Sequence, residues 1–91
     1  MGEKTILVVE PEAHIAWLIE VNLERAGYQV TTVDNGQDAL TQINEQSFDL
    51  LAIAETLPDM TGYELDQQMR ERLQDHMPPI LLLVPKRVEP G

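Results

Sequence analysis

No cysteine occurs in this chain. Disulfides, thiolate nucleophiles and zinc–thiolate sites are therefore excluded, as suits a reducing compartment. Ser47 is the single serine, and the two histidines, His14 and His76, stand far apart. They allow no serine–histidine–acid arrangement, and neither histidine has a partner at metal-ligand spacing. Gly27, Gly36 and Gly62 are isolated, so no glycine-rich loop is available to cradle a phosphate. The longest apolar runs, among them Leu50 to Ala54 and Ile80 to Val84, fall far short of the roughly 20 residues that cross a bilayer. The N-terminus also lacks the apolar core of a signal peptide. Positive charge is scarce: six basic residues face sixteen acidic ones, for a net charge of −10. Nucleic acid and anionic membranes both require a cationic face, so neither is expected as a partner. Together these absences point to a cytoplasmic protein with no cofactor and no enzymatic nucleophile.

What is present suffices for one domain. The 91 residues are 43 % hydrophobic, which excludes wholesale disorder, and they are too few for two domains. Thr5 to Val9 is short, apolar and β-branched, the pattern of a strand buried on both faces. Glu10-Pro11-Glu12 breaks it. Ile15, Leu18, Ile19, Asn22, Leu23 and Ala26 then recur at three- and four-residue steps, forming one helical stripe that Gly27 ends. Tyr28 to Val33 makes a second strand. Asp34-Asn35-Gly36 turns the chain and caps a short helix carrying Ala39, Leu40 and Ile43. Phe48 to Ala54 is a third strand, and the loop Leu57 to Gly62 leads to a third helix with Leu65, Met69 and Leu73 on its apolar side. Ile80 to Val84, between Pro79 and Pro85, is a fourth strand.

Strands alternating with helices imply a parallel sheet with right-handed crossovers and helices on both faces. Such open, doubly wound α/β folds bind ligands at the carboxyl ends of their strands. Function is therefore expected at Glu10-Pro11-Glu12, at Ala54-Glu55-Thr56 and after Val84.

From Thr5 to Pro85 the residues at these ends, and those between them, follow a known pattern. Ile6-Leu7-Val8-Val9-Glu10, Asn22-Leu23-Glu24-Arg25-Ala26-Gly27-Tyr28, Asp34-Asn35-Gly36-Gln37-Asp38-Ala39-Leu40, Phe48-Asp49-Leu50-Leu51 and Leu57-Pro58-Asp59-Met60-Thr61-Gly62-Tyr63-Glu64 occur in order and at the right spacing. The chain resembles the receiver domains of two-component response regulators. The resemblance implies a sheet of order 2-1-3-4. It also implies a mouth where an acidic pair holds Mg²⁺, an aspartate takes a phosphoryl group, a hydroxyl senses it and a lysine pairs with it.

This sequence departs at each of those positions. The acidic pair falls on Glu10 and Pro11, the phosphoacceptor on Ala54 and the hydroxyl on Val84. Lys86 and Arg87 follow the fourth strand directly and do not match the lysine. The resemblance also implies a last helix, strand and helix after the fourth strand, so the chain is expected to be truncated relative to the family. Glu55 adjoins Ala54, but successive strand residues point to opposite faces, so its carboxylate is expected to face elsewhere. Glu10 and Glu12 make a weak cation site without a carboxylate on strand three. No metal is expected.

Two features favour an interaction role. Ala13, Trp17 and Val21 recur every four residues off the main stripe of the first helix, which would expose a narrow apolar ridge. Ile80, Leu82 and Val84, with the leucines between them, form a strand expecting cover on both faces. Leaving two or three such side chains in water forgoes roughly 1.5–3 kcal/mol each. An unpaired apolar edge also invites strand addition. A second copy of the chain, a protein partner or a missing continuation of a longer gene product is expected to cover it, with symmetric pairing or segment exchange between copies the most economical. The resulting expectation is a phosphorylation-independent receiver-like domain acting by protein contact. Its alternative is the front of a longer response regulator that takes part in phosphorelay signalling.

Overall fold

The computed structural model describes residues 2–84. Its elements are β1 (Thr5–Val9), α1 (Ala13–Arg25), β2 (Gln29–Val33), α2 (Gly36–Glu45), β3 (Leu50–Ala54), α3 (Gly62–Leu73), a short 3₁₀ turn (Gln74–His76) and β4 (Ile80–Leu83). The four strands form one parallel sheet in the order β2-β1-β3-β4. This is the open α/β architecture expected from the alternation of strand and helix.

The two-residue period of β1 sorts its side chains between two cores. Leu7 and Val9 join Ala39, Leu40 and Ile43 of α2, Leu65 and Met69 of α3, and Leu51 and Ile53 of β3. Ile6 and Val8 join Ala52 on the other face, where Ile19 and Leu23 of α1 pack. The first core is the larger because two helices close it. The second has α1 alone among the described residues, and α1 lies against β1 and β2.

That placement corrects the stripe expected on α1. Ala16 is its one buried residue, whereas Ile15 and Leu18 are 39 % and 51 % exposed and Asn22 is exposed. The strip meeting the sheet is thus Ala16, Ile19 and Leu23. Three strands are also shorter than their apolar runs. Tyr28 donates its N–H to the Leu23 carbonyl of the helix end at 3.1 Å instead of entering the ladder, and β2 starts at Gln29. Phe48 is buried in the larger core, yet β3 starts at Leu50. Val84 follows the last residue of β4, and Pro85 lies outside the described residues.

Side-chain caps hold the starts of α2 and α3 at the mouth of the sheet. Thr61 and Glu64 form a reciprocal capping box on α3, satisfying two amides that the helix itself leaves unpaired. Gly27, with φ of +99°, ends the α1 segment in the left-handed region, which only glycine enters without strain. No described helix is long and apolar enough to cross a membrane.

Candidate functional site at the mouth of the sheet

The carboxyl ends of β1, β3 and β4 bring together Glu10, Ala54, Glu55 and Val84 around one groove of about 580 Å³, which Pro11, Glu12, Ile15, Ile19, Thr56 and Leu83 complete. Ala54 is buried in this mouth, and its methyl is the only side-chain group it presents. Val84, 58 % exposed, offers no hydrogen-bond donor from its side chain. Glu55 lies one residue past β3, and it and Ala54 both contribute to the lining of the groove.

Glu10 is the buried charge of the mouth, 9 % exposed. Its Oε2 accepts the Glu12 N–H at 2.9 Å, so one carboxylate oxygen shapes the turn around Pro11. Glu12 is exposed and starts α1 without a side-chain cap. Among the described residues no three acidic or histidine side chains gather closely enough to hold a metal ion.

The loop after β3 is fixed from several directions. Gly62 donates its N–H to the Glu55 carbonyl at 2.8 Å, and a Cβ at Gly62 would strike the carbonyl oxygen of Ala54. Asp59 reaches across to α2, accepting the Gly36 N–H at 2.8 Å and the Gln37 N–H at 2.9 Å. Asn35 Oδ1 accepts the next amide, that of Asp38, at 2.8 Å. The first three amides of α2 are thereby all satisfied, two of them from a loop more than twenty residues away. The Gly36 and Gln37 amides hold the Asp59 carboxyl below its ordinary value of 3.8, because both donate to its charged form. Asp59 was not singled out as functional in the sequence, since nothing local signals a cap at such a distance.

The fold of the mouth has counterparts among known proteins. A family model described as the response regulator receiver domain matches residues 6–89.

This chain belongs to the response regulator receiver domain family.

Among curated relatives of this receiver, the alkaline phosphatase synthesis transcriptional regulatory protein PhoP of Bacillus subtilis is 41 % identical over 86 residues. That match covers 94 % of this chain and 35 % of the relative. The phosphate regulon transcriptional regulatory protein PhoB of Rhizobium meliloti is 34 % identical over 84 residues, covering 92 % of this chain and 37 % of the relative. The chain thus spans about a third of the length of these relatives. Among solved structures, the chemotaxis protein CheY4 of Vibrio cholerae superposes with a TM-score of 0.87 at 29 % identity, over 96 % of this chain and 72 % of that one. The receiver domain from Methylobacillus flagellatus gives 0.86 at 26 % identity, over 91 % and 70 %.

Of the interaction residues read from the sequence, Trp17 is 59 % exposed and Val21 half-buried on α1. Ile80 and Leu82 are half-buried on β4, with Ile80 packed against the larger core. Leu81, which the sequence reading did not single out, is 55 % exposed. It shares with Leu83 the face on which α1 packs, and α1 lies mainly against β1 and β2. Lys86 and Arg87 lie outside the described residues.

Proposed function

We propose that this receiver acts in signal transduction through protein–protein contact without accepting a phosphoryl group. The carrying observation is Ala54 at the carboxyl end of β3, where the receiver resemblance implies the acceptor. A methyl group has no lone pair with which to attack phosphorus, and acyl-phosphate formation requires a carboxylate. Pro11 leaves Glu10 without its acidic neighbour, and Val84 supplies no hydroxyl. The domain is proposed to be cytoplasmic and to bind neither nucleic acid nor membrane, its charge of −10 opposing both. No enzymatic turnover is assigned to it.

Incubation of the chain with acetyl phosphate and Mg²⁺, read by intact mass, tests this. An unchanged mass is the expected result; a stable phosphoryl adduct overturns it.

The contact is proposed at the α1 face around Trp17 and Val21, and at the β4 face and edge formed by Ile80, Leu82 and Val84. A second copy of the chain is the proposed partner at β4, through strand pairing or segment exchange. Sedimentation at tens of micromolar is expected to give more than a monomer. A monomer at that concentration removes self-association from the account.

A second reading is the receiver of a longer transcriptional regulator that takes part in phosphorelay. It is favoured by the relatives, which are named as transcriptional regulatory proteins and of which this chain spans about a third. That reading requires a carboxylate other than residue 54 to accept the phosphoryl group, with Glu55 in the same groove. Acetyl phosphate labelling separates the two readings, because only the second yields an adduct.

A further inference from the structure

Asn35 and Gly36 stand together at the start of α2 for two unrelated reasons. Asn35 is the N-cap, its Oδ1 accepting the Asp38 N–H at 2.8 Å. Gly36 is buried, and a Cβ added to it would meet the thioether of Met60 in the β3–α3 loop. Their conjunction carries a chemical liability that neither residue has alone. An asparagine followed by glycine is the dipeptide most prone to deamidation. Glycine has no Cβ to keep its nitrogen from the preceding side-chain carbonyl, and it rotates readily into the geometry of attack. The other two asparagines, Asn22 and Asn44, precede Leu23 and Glu45, whose side chains obstruct that approach.

The reaction needs no reagent but water, and half-buried Asn35 is open to it. The Gly36 backbone nitrogen bonds to Asn35 Cγ, the Cγ–Nδ2 bond breaks, and ammonia leaves carrying the Gly36 proton. One water then opens the five-membered imide at either carbonyl. The product is aspartate, or isoaspartate with the main chain lengthened by one carbon.

In the folded chain the reacting atoms are engaged elsewhere. Asn35 Nδ2 donates to Asp34 Oδ1 at 2.7 Å and to Asp38 Oδ2 at 3.0 Å, while Oδ1 holds the Asp38 amide. Turning the side-chain carbonyl toward the Gly36 nitrogen breaks those bonds. That nitrogen in turn donates its proton to Asp59 Oδ1 at 2.8 Å. To attack, it must shed the proton, and a carboxylate so close opposes the negative charge that develops there. The restraints on Asn35 all come from residues 34–38 and travel with the start of the helix. The restraint on Gly36 comes from 23 residues away, so a movement of the β3–α3 loop removes it.

We infer that Asn35–Gly36 is a deamidation site that the Asp59 carboxylate of the β3–α3 loop keeps unreactive, so that drawing this loop off α2 exposes it. Conversion changes the mouth lastingly. An aspartate at position 35 still caps the Asp38 amide, but it cannot donate to Asp34 and Asp38, and it sets three carboxylates within residues 34–38. Isoaspartate displaces the cap itself. Either product loosens the helix start to which Asp59 ties the loop.

The full chain, kept at physiological pH and temperature and sampled over weeks, is read by intact mass and by peptide mapping that separates aspartate from isoaspartate. Asn35 should stay largely intact in the folded chain and convert rapidly in the urea-unfolded chain, with Asn22 and Asn44 unchanged in both. Asp59→Ala, under conditions where it is folded, should convert at Asn35 about tenfold faster or more, since a hydrogen bond to a charged group is worth about a decade. Asp59→Asn, which keeps one acceptor, should fall between the two and serves where the alanine variant does not fold. Leu23→Ala truncates the core on the α1 face, lowering global stability without touching the Gly36–Asp59 bond, and should keep the native rate. A native rate in the folded Asp59 variants overturns the inference, because Asp59 would then guard nothing. Equal acceleration by Leu23→Ala overturns it too, placing the protection in the fold as a whole. So does conversion of the folded native chain as fast as in urea.

Discussion

Gly62 and Ala54 meet where the loop after β3 folds back over the end of the strand. A methyl group at Gly62 would collide with the Ala54 carbonyl oxygen. That oxygen belongs to the paired backbone of β3 and cannot withdraw as a flexible side chain would. At Gly36, by contrast, an added Cβ would meet the thioether end of Met60, which can rotate away. Gly62→Ala is therefore expected to destabilise the domain by about 1–3 kcal/mol, with Gly36→Ala costing less. Denaturant midpoints at constant m-value measure both. Equal stability of the two variants would contradict the close approach at Ala54. The sequence made the identities at positions 10, 11, 54 and 84 legible, since each follows a run that reads clearly as a strand. It did not make Ala16 legible as the buried centre of α1, because an alanine carries little weight in an apolar pattern beside Ile15 and Leu18.

At the scale of elements, the strand–helix order and the sheet order were readable because both periods, two and three to four, are strong in this chain. Strand ends were not, because the ladder ends where hydrogen-bond partners run out rather than where apolar residues do. Tyr28 shows this, its amide being taken by the end of α1. Nor could the cap of α2 by Asp59 be read locally, since donor and acceptor are separated by more than twenty residues. That cap couples the β3–α3 loop to α2 and makes a pH-dependent prediction. The folded-state pKa of Asp59 is depressed below 3.8, so its contribution is complete above 3.8 and is lost as pH falls through the depressed value. Asp59→Asn retains one acceptor for two amides and should lower Tm at neutral pH. The difference from the native chain should shrink as pH falls below 3.8. A Tm difference that persists undiminished in acid would show that the carboxylate charge is not what holds the loop.

The whole molecule combines a receiver scaffold with a mouth whose chemistry differs from what that scaffold's resemblance implies. Both cores, the caps and the β3–α3 loop are intact around Ala54, so the alanine sits in an ordered site. Long-range charge placement was only partly legible. The net value of −10 is plain in the sequence, but the gathering of Glu10, Glu20, Asp34 and Asp38 around Trp17 depends on three elements meeting at one end. The central claim, that this mouth does not take up a phosphoryl group, is tested most directly at the site itself. Beryllofluoride with Mg²⁺ mimics a phosphoryl group and reports site occupancy without needing covalent transfer. Amide spectra of the isotope-labelled chain during titration with that pair are the measurement. The account predicts resonances of Glu10, Ala54, Glu55 and Val84 that stay in place throughout, whereas a saturable shift centred on those residues would contradict it.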